Sequence, residues 1–179
     1  GCFRLQSGDL SLLVDSNNNR LKADVFLKTI IAPGTLPESV FEISFPGEYE
    51  VRGIEIFGWP VAQESTEKLI KTVYLVRWEG IKLAFFGHIS EFPASELLDS
   101  LDEPDILFVP TGGGHFLSAD GAARLVKQLE PAMVIPSFYK DHRDFLKVLG
   151  QPGAVQEKLV FKRKDLEPEK MKAVVLQVS

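Results

Sequence analysis

Two stretches of the chain share an order of elements that leaves few folds open. In the first, extended runs at residues 2–6 and 9–14 meet at Ser7-Gly8, which reads as a hairpin turn. A polar loop over residues 15–20 leads into the apolar run 23–28, with Asp24 near its start. In the second, the runs 72–78 and 81–86 turn at Glu79-Gly80 and are followed by the run 105–109, opened by Asp105. Leu12-Leu13-Val14-Asp15 in the first unit corresponds to Ala84-Phe85-Phe86-Gly87 in the second. Two units, each a hairpin plus a further strand, predict two sheets packed face to face about an approximate two-fold axis. The run 105–109 (DILFV) is apolar throughout, as in a strand buried on both faces. Helices must then cover the outside.

Those helices fall in the second half. Ala122, Leu125, Val126 and Leu129 recur at helical spacing behind Ser118, a good N-cap, and Pro131 ends the run. Residues 133–135 resume as a short strand, and residues 141–149 form a second helix with Gly150 as its C-cap. Between the two units, Phe45-Pro46-Gly47 marks a turn and residues 49–57 alternate as a strand. A last strand pair is expected at 158–162 and 173–178.

At 179 residues the chain is the size of one domain, read as a single unit over 1–179. A net charge of −5 argues against a dedicated nucleic-acid binder, which needs a basic excess to neutralise phosphates. The cluster Lys162, Arg163, Lys164 is the local exception and reads as a solvated strand face. The single cysteine, Cys2, excludes an intrachain disulfide and suits a reducing, cytoplasmic setting. No apolar run approaches the roughly 20 residues needed to span a bilayer, so no membrane association is expected.

The segments, in order, resemble the metallo-β-lactamase superfamily, in particular its branch of ascorbate-6-phosphate-lactonase-like hydrolases. Cys2-Phe3-Arg4-Leu5 resembles that family's opening strand, and Leu12-Leu13-Val14-Asp15 its strand ending in Asp-Pro, with Ser16 for the proline. Residues 22–29 (KADVFLKT) match the strand leading into the metal loop, and residues 81–90 the strand ending in Gly-Asp-Thr. Residues 109–118 (VPTGGGHFLS) match the Pro-x-Gly-Gly-His-Phe-Thr-Met loop, and residues 131–139 the segment ending in Pro-x-His-Tyr. The resemblance implies a four-layer αβ/βα sandwich, two mixed sheets face to face with helices outside. The family's Gly-His-Ser is missing ahead of Cys2, which reads as a first strand cut short at the N-terminus.

The departures bear on function. Where the family carries His-x-His-x-Asp-His, this chain reads Ile30-Ile31-Ala32-Pro33-Gly34-Thr35. Zinc takes Cys, His or carboxylate ligands at about 2.0–2.3 Å, and these side chains offer no such donors. The bridging aspartate of Gly-Asp-Thr is His88, and the late histidine is Phe138. The resemblance therefore implies zinc, whereas the residues predict no metal and no other cofactor. Phe138 and Tyr139, with Ile30 or Ile31, are expected to fill the space. No Ser-His-Asp order, Cys-His pair or Walker-type loop replaces the zinc chemistry.

The candidate residues for a residual binding cleft are Asp15, His88, Thr111, Gly112, Gly113, Gly114 and His115. The two histidines read either as ligand contacts or as hydrogen-bonded remnants. The three glycines allow either an anion-binding nest of N–H groups or close packing of the strand end. Asp15 reads alternatively as a turn residue. The leading expectation is a non-catalytic binding, scaffold or regulatory domain whose partner is a protein or a small anion. One alternative is a metal-dependent hydrolase rebuilt on Asp15, His88, His115 and His142. A weaker one places RNA on residues 158–164.

Overall fold

The computed structural model describes residues 1–37 and 39–177. Strands β1 (Phe3–Ser7) and β2 (Leu10–Val14) form the first hairpin, and β3 (Val25–Leu27) lies parallel to β2. The two-residue β4 (Ile30–Ile31) leaves this sheet, whereas β5 (Glu42–Ile43) returns to it beside β3. The antiparallel run of β6 (Gly47–Val51), β7 (Ile54–Pro60), β8 (Ile70–Trp78) and β9 (Ile81–Phe85) begins the larger sheet. After helix α1 (Ser95–Ser100), β10 (Ile106–Pro110) pairs parallel to β9. Helix α2 (Ala119–Leu129) leads to β11 (Met133–Ser137), and α3 (His142–Leu149) to β12 (Ala154–Gln156) and β13 (Lys172–Leu176), all parallel additions.

The result is two mixed sheets, β1-β2-β3-β5 and a nine-stranded sheet running from β12 to β6 with β4 attached to β8. They face one another across Leu12, Val14, Val25 and Leu27 on one side and Tyr74, Val76, Phe85, Ile106 and Phe108 on the other. The opposite face of the larger sheet, carrying Val73, Leu75, Leu107 and Val109, packs against α1, α2 and α3. Every residue of β10 and β11 is buried, because both faces are covered. Among the described residues all three α-helices belong to this larger sheet. Over the smaller sheet, the loop after β2 stands where a fourth, helical layer would lie, and Leu13 on that outer face is still only 1% exposed.

The two-unit reading holds down to single hydrogen bonds. Asp24 donates its N–H to the Ser11 carbonyl (3.0 Å) and accepts the Ser11 N–H at Oδ2 (2.9 Å). Asp105 does the same with Lys82 (2.8 Å each way). The acidic residue opening each buried strand thus fastens it to the hairpin before it. Both expected helices form, with Ser118 accepting from the Gly121 N–H (3.1 Å) and Gly150 closing α3 at φ +71°.

Two expectations are corrected. Residues 49–57 are two strands, since Arg52-Gly53 turns the chain between β6 and β7 with both residues at positive φ. Residues 158–162 form no strand. β12 takes the edge beside β13, and the following segment lays Leu159, Phe161 and Leu166 over the inter-sheet core. The end of the expected strand 173–178 reaches Val178, outside the described residues. Helix α1 carried no clear signal, being only six residues long.

Phe108 is the aromatic centre of the inter-sheet core, stacked on Phe85 (4.4 Å) and meeting Phe3 of the other sheet edge-on (4.8 Å). Phe108→Ala is therefore expected to cost about 3–5 kcal/mol in denaturant unfolding. A loss below 1 kcal/mol would mean that the sheets are not joined there.

Candidate functional site

The C-terminal ends of β2, β3, β9 and β11 carry a compact polar and aromatic cluster. Asp15 follows β2 in the left-handed region (φ +49°), a conformation that Asp tolerates. Its Oδ1 accepts the Thr29 N–H (2.7 Å) and its Oδ2 accepts the Thr29 hydroxyl (2.6 Å). The same Thr29 Oγ1 lies 2.8 Å from His88 Nδ1. A hydroxyl has one proton. Given to Asp15, it leaves Thr29 to accept from His88, which fixes the imidazole with its proton on Nδ1.

Glycine is required next to this cluster. Gly87 has φ +50°, and a Cβ there would sit 2.0 Å from Thr29 Oγ1. The loop carrying His88 is held from below by Glu64, which accepts from the N–H groups of Ser90 and Glu91, the Ser90 hydroxyl and the Lys71 ammonium (2.6 Å). Burial works against the Glu64 charge, but these donors outweigh it and hold the carboxyl below its ordinary 4.5.

Aromatic rings close the other side. Phe138 packs 4.7 Å from the His88 ring and stacks on Phe116 at 4.3 Å. Phe138 is itself left-handed (φ +50°), an unusual state for a bulky residue that costs of order 1–3 kcal/mol. Its carbonyl oxygen would be 1.9 Å from a Cβ on Gly112. The glycine at 112 therefore answers to close packing.

The sequence-derived residues separate into two groups. Asp15 and His88 meet, with Nδ1 and Oδ2 3.6 Å apart. Thr111 is buried, and its hydroxyl has no partner among the described residues. Gly113 and Gly114 have positive φ, and the Gly113 N–H is spent on the Leu117 carbonyl (3.1 Å). His115 is exposed and makes no hydrogen bond or ring contact with His88 among the described residues. His142 opens α3 and meets Tyr139 edge-on, 5.6 Å away. Tyr139 turns aside to bond the Leu176 carbonyl (3.1 Å). Ile30 and Ile31, on the stretch matching the family's metal loop, pair with Lys71 and Ile70 as β4. No three His, Cys, Asp or Glu side chains are grouped to share a metal ion among the described residues.

Sequence reasoning missed Thr29, Glu64 and Phe116. Thr29 had a faint signal, a fully buried hydroxyl ending an apolar strand next to Asp15. Glu64 had none, since its partners lie 7, 26 and 27 residues away.

A family profile described as "Beta-lactamase superfamily domain" matches residues 1–137. The chain belongs to this family. A UPF0173 metal-dependent hydrolase from Thermoplasma acidophilum is 37% identical over 60 residues, 34% of this chain and 27% of that protein. One from Thermococcus onnurineus is 28% identical over 121 residues, 61% of this chain and 54% of that protein. The matches thus span about half or less of these curated relatives. A metallo-β-lactamase superfamily protein from Thermotoga maritima superposes with a TM-score of 0.80 at 21% identity, covering 98% of this chain and 95% of that one. The metallo-β-lactamase fold protein YhfI from Bacillus subtilis does so at 0.65 and 12% identity, covering 98% and 88%. These superpositions establish that the β-lactamase superfamily fold is shared. No helix among the described residues is long and apolar enough to cross a membrane.

The cluster has a pH signature. Burial lowers the His88 pKa below 6.5 against the pull of the Asp15 carboxylate, and Lys71 and the terminal amine add to the lowering. Burial raises Asp15 above 3.8, opposed by His88 and the Thr29 bonds. The stability that neutral His88 contributes is intact above pH 6.5 and is lost as the pH falls below it. Asp15 acts oppositely, its contribution being greatest below 3.8 and lost as the pH rises through its raised pKa. The stability advantage of wild type over His88→Gln should therefore shrink as the pH is lowered through about 6.5. A constant difference would mean that His88 titrates alike in both states. Thr29→Val strands the buried carboxylate and should cost about 1–3 kcal/mol, with Thr29→Ser recovering most of it. Equal losses in both variants would assign the effect to packing.

Proposed function

We propose that this chain is a metallo-β-lactamase-fold domain whose zinc site has been replaced, and that it serves as a non-catalytic binding, scaffold or regulatory domain. The observation carrying this reading is the closed Asp15–Thr29–His88 network. Both Asp15 oxygens and His88 Nδ1 are already engaged by Thr29. A catalytic zinc needs three protein donors and an open position for water. This cluster offers two ligating side chains, and Phe138 packs against one of them. The residues present do not fit the ion. Domains of this kind act through a surface, toward a protein partner or a small anion. Net negative charge disfavours nucleic acid. The single exposed thiol, Cys2, fits a reducing compartment such as the cytoplasm.

The second reading, a hydrolase with a rebuilt metal site, draws on the relatives named metal-dependent hydrolases. It would need His115 beside Asp15 and His88, and His115 is exposed without contact to His88 among the described residues. Elemental analysis of protein purified without chelator separates the two. The expected outcome is no stoichiometric zinc, iron or manganese and an unchanged melting temperature in chelator. About one metal per chain, with a Tm that falls by several degrees on its removal, would overturn the proposal and favour the hydrolase.

A further inference from the structure

Two segments carry backbone groups that no neighbour answers among the described residues, and they are oppositely charged. The first is β6, the outermost strand of the larger sheet, which pairs there with β7 alone. Arg52 and Gly53 both have positive φ, so the hairpin closes on Val51 and Ile54 as a hydrogen-bonded pair. Bonded and non-bonded pairs alternate along an antiparallel ladder. The N–H and C=O groups of Glu48 and Glu50 therefore point away from β7, toward the open edge. Their side chains are exposed, and neither makes a hydrogen bond or ion pair among the described residues. Glu55 stands opposite Glu50 and adds a third carboxylate to this face. Arg77, next to Glu55 in register, is turned to Asp102 instead (3.0 Å).

The second segment is residues 157–162, between β12 and β13. Lys158, Val160 and Lys162 are exposed while Leu159 and Phe161 pack on the inter-sheet core, the alternation of a strand. Lys162 is extended (φ −125°, ψ 163°). From residue 157 to 161 no backbone group is hydrogen-bonded among the described residues. Lys158 and Lys162 form no ion pair among them, and Val160 between the two is 78% exposed. This is a strand without a ladder. Charge decides how such segments can meet. Two β6 edges side by side would oppose glutamates, and two basic segments would oppose lysines, both destabilising across a ladder. A β6 edge beside a basic segment sets opposite charges against each other. We propose that this chain associates head to tail with a second copy of itself, the basic segment of one copy adding an antiparallel strand to β6 of the next. Glu50 then faces Lys158 of the partner subunit. Glu48 faces Val160 of the partner subunit and has a lysine on each diagonal. The contact joins two different surfaces, so each copy keeps one of each free, and the assembly closes into a ring or continues as a filament.

Edge pairing is independent of metal content, so it holds or fails separately from the zinc-free reading. Sedimentation of the full chain over a concentration series tests it. The expected result is a mass above the monomer at sub-millimolar concentration in low salt, with association about tenfold or more weaker in high salt. Proline blocks an edge without breaking the ladder behind it where the N–H that it removes points outward. Glu50→Pro and Val160→Pro should each be monomeric alone, with unchanged circular dichroism, and should form a one-to-one complex when mixed. Each retains the surface that the other lacks. Charge reversal repeats the test without touching the backbone. Glu48→Lys with Glu50→Lys, and Lys158→Glu with Lys162→Glu, should each lose association alone and regain it on mixing. A wild-type chain that stays monomeric at millimolar concentration would overturn the proposal. So would association that persists in either proline variant alone, or mixtures that fail to pair in both sets.

Discussion

Burial of the central strands on both faces is the constraint from which the other features follow. β10 and β11 have no exposed residue, and their one polar side chain is Ser137 at the end of β11. Polar chemistry is displaced to where strands end. At one end Asp24 and Asp105 satisfy backbone groups of the preceding strands, which is structural work. At the other, Asp15, Thr29 and His88 gather from three strand ends and satisfy one another. The ends of the sandwich's strands supply the position. The side chains delivered there decide what it can hold.

What the sequence disclosed follows the range of the interactions involved. Alternation, turn glycines and caps act over a few residues, so the hairpins, α2, α3 and the two-unit plan could be read directly. Residues 49–57 misled because Arg52-Gly53 resembles any polar-glycine pair until the chain is seen to reverse there. The basic stretch near 162 alternates like a strand, but the place beside β13 is taken by β12. In the site, Asp15 and His88 were found because each ends a matched strand. Thr29, which joins them, was hidden by its ordinary position in an apolar run. Glu64 was hidden because nothing local marks a carboxylate whose donors come from β8 and from the loop after β9.

The smaller sheet also departs from its larger partner in what covers it. Three helices bury one outer face, whereas a short loop shields Leu13 and Phe26 on the other. A loop covers less area than a helix and carries its own amides and hydroxyls to the surface. A polar recess over an otherwise plain strand face is the outcome.

Strand β4 ties the mouth of the smaller sheet to the larger one. Within a loop, neighbouring side chains can be turned toward one point. Within a strand, they alternate. Ile31 is buried while Ile30 is only half-buried, and both are pinned by pairing with β8. Of the positions aligned with His-x-His-x-Asp-His, which are 30, 32, 34 and 35, the ladder holds only Ile30, and the other three take their direction from the loop that follows. The direction of a side chain at 30 is therefore set by the register of Ile30 with Lys71 in the larger sheet and not by the loop. A two-residue ladder thus couples the mouth of the smaller sheet to the larger one, so that any shift of β8 is passed directly to the loop at 32–35.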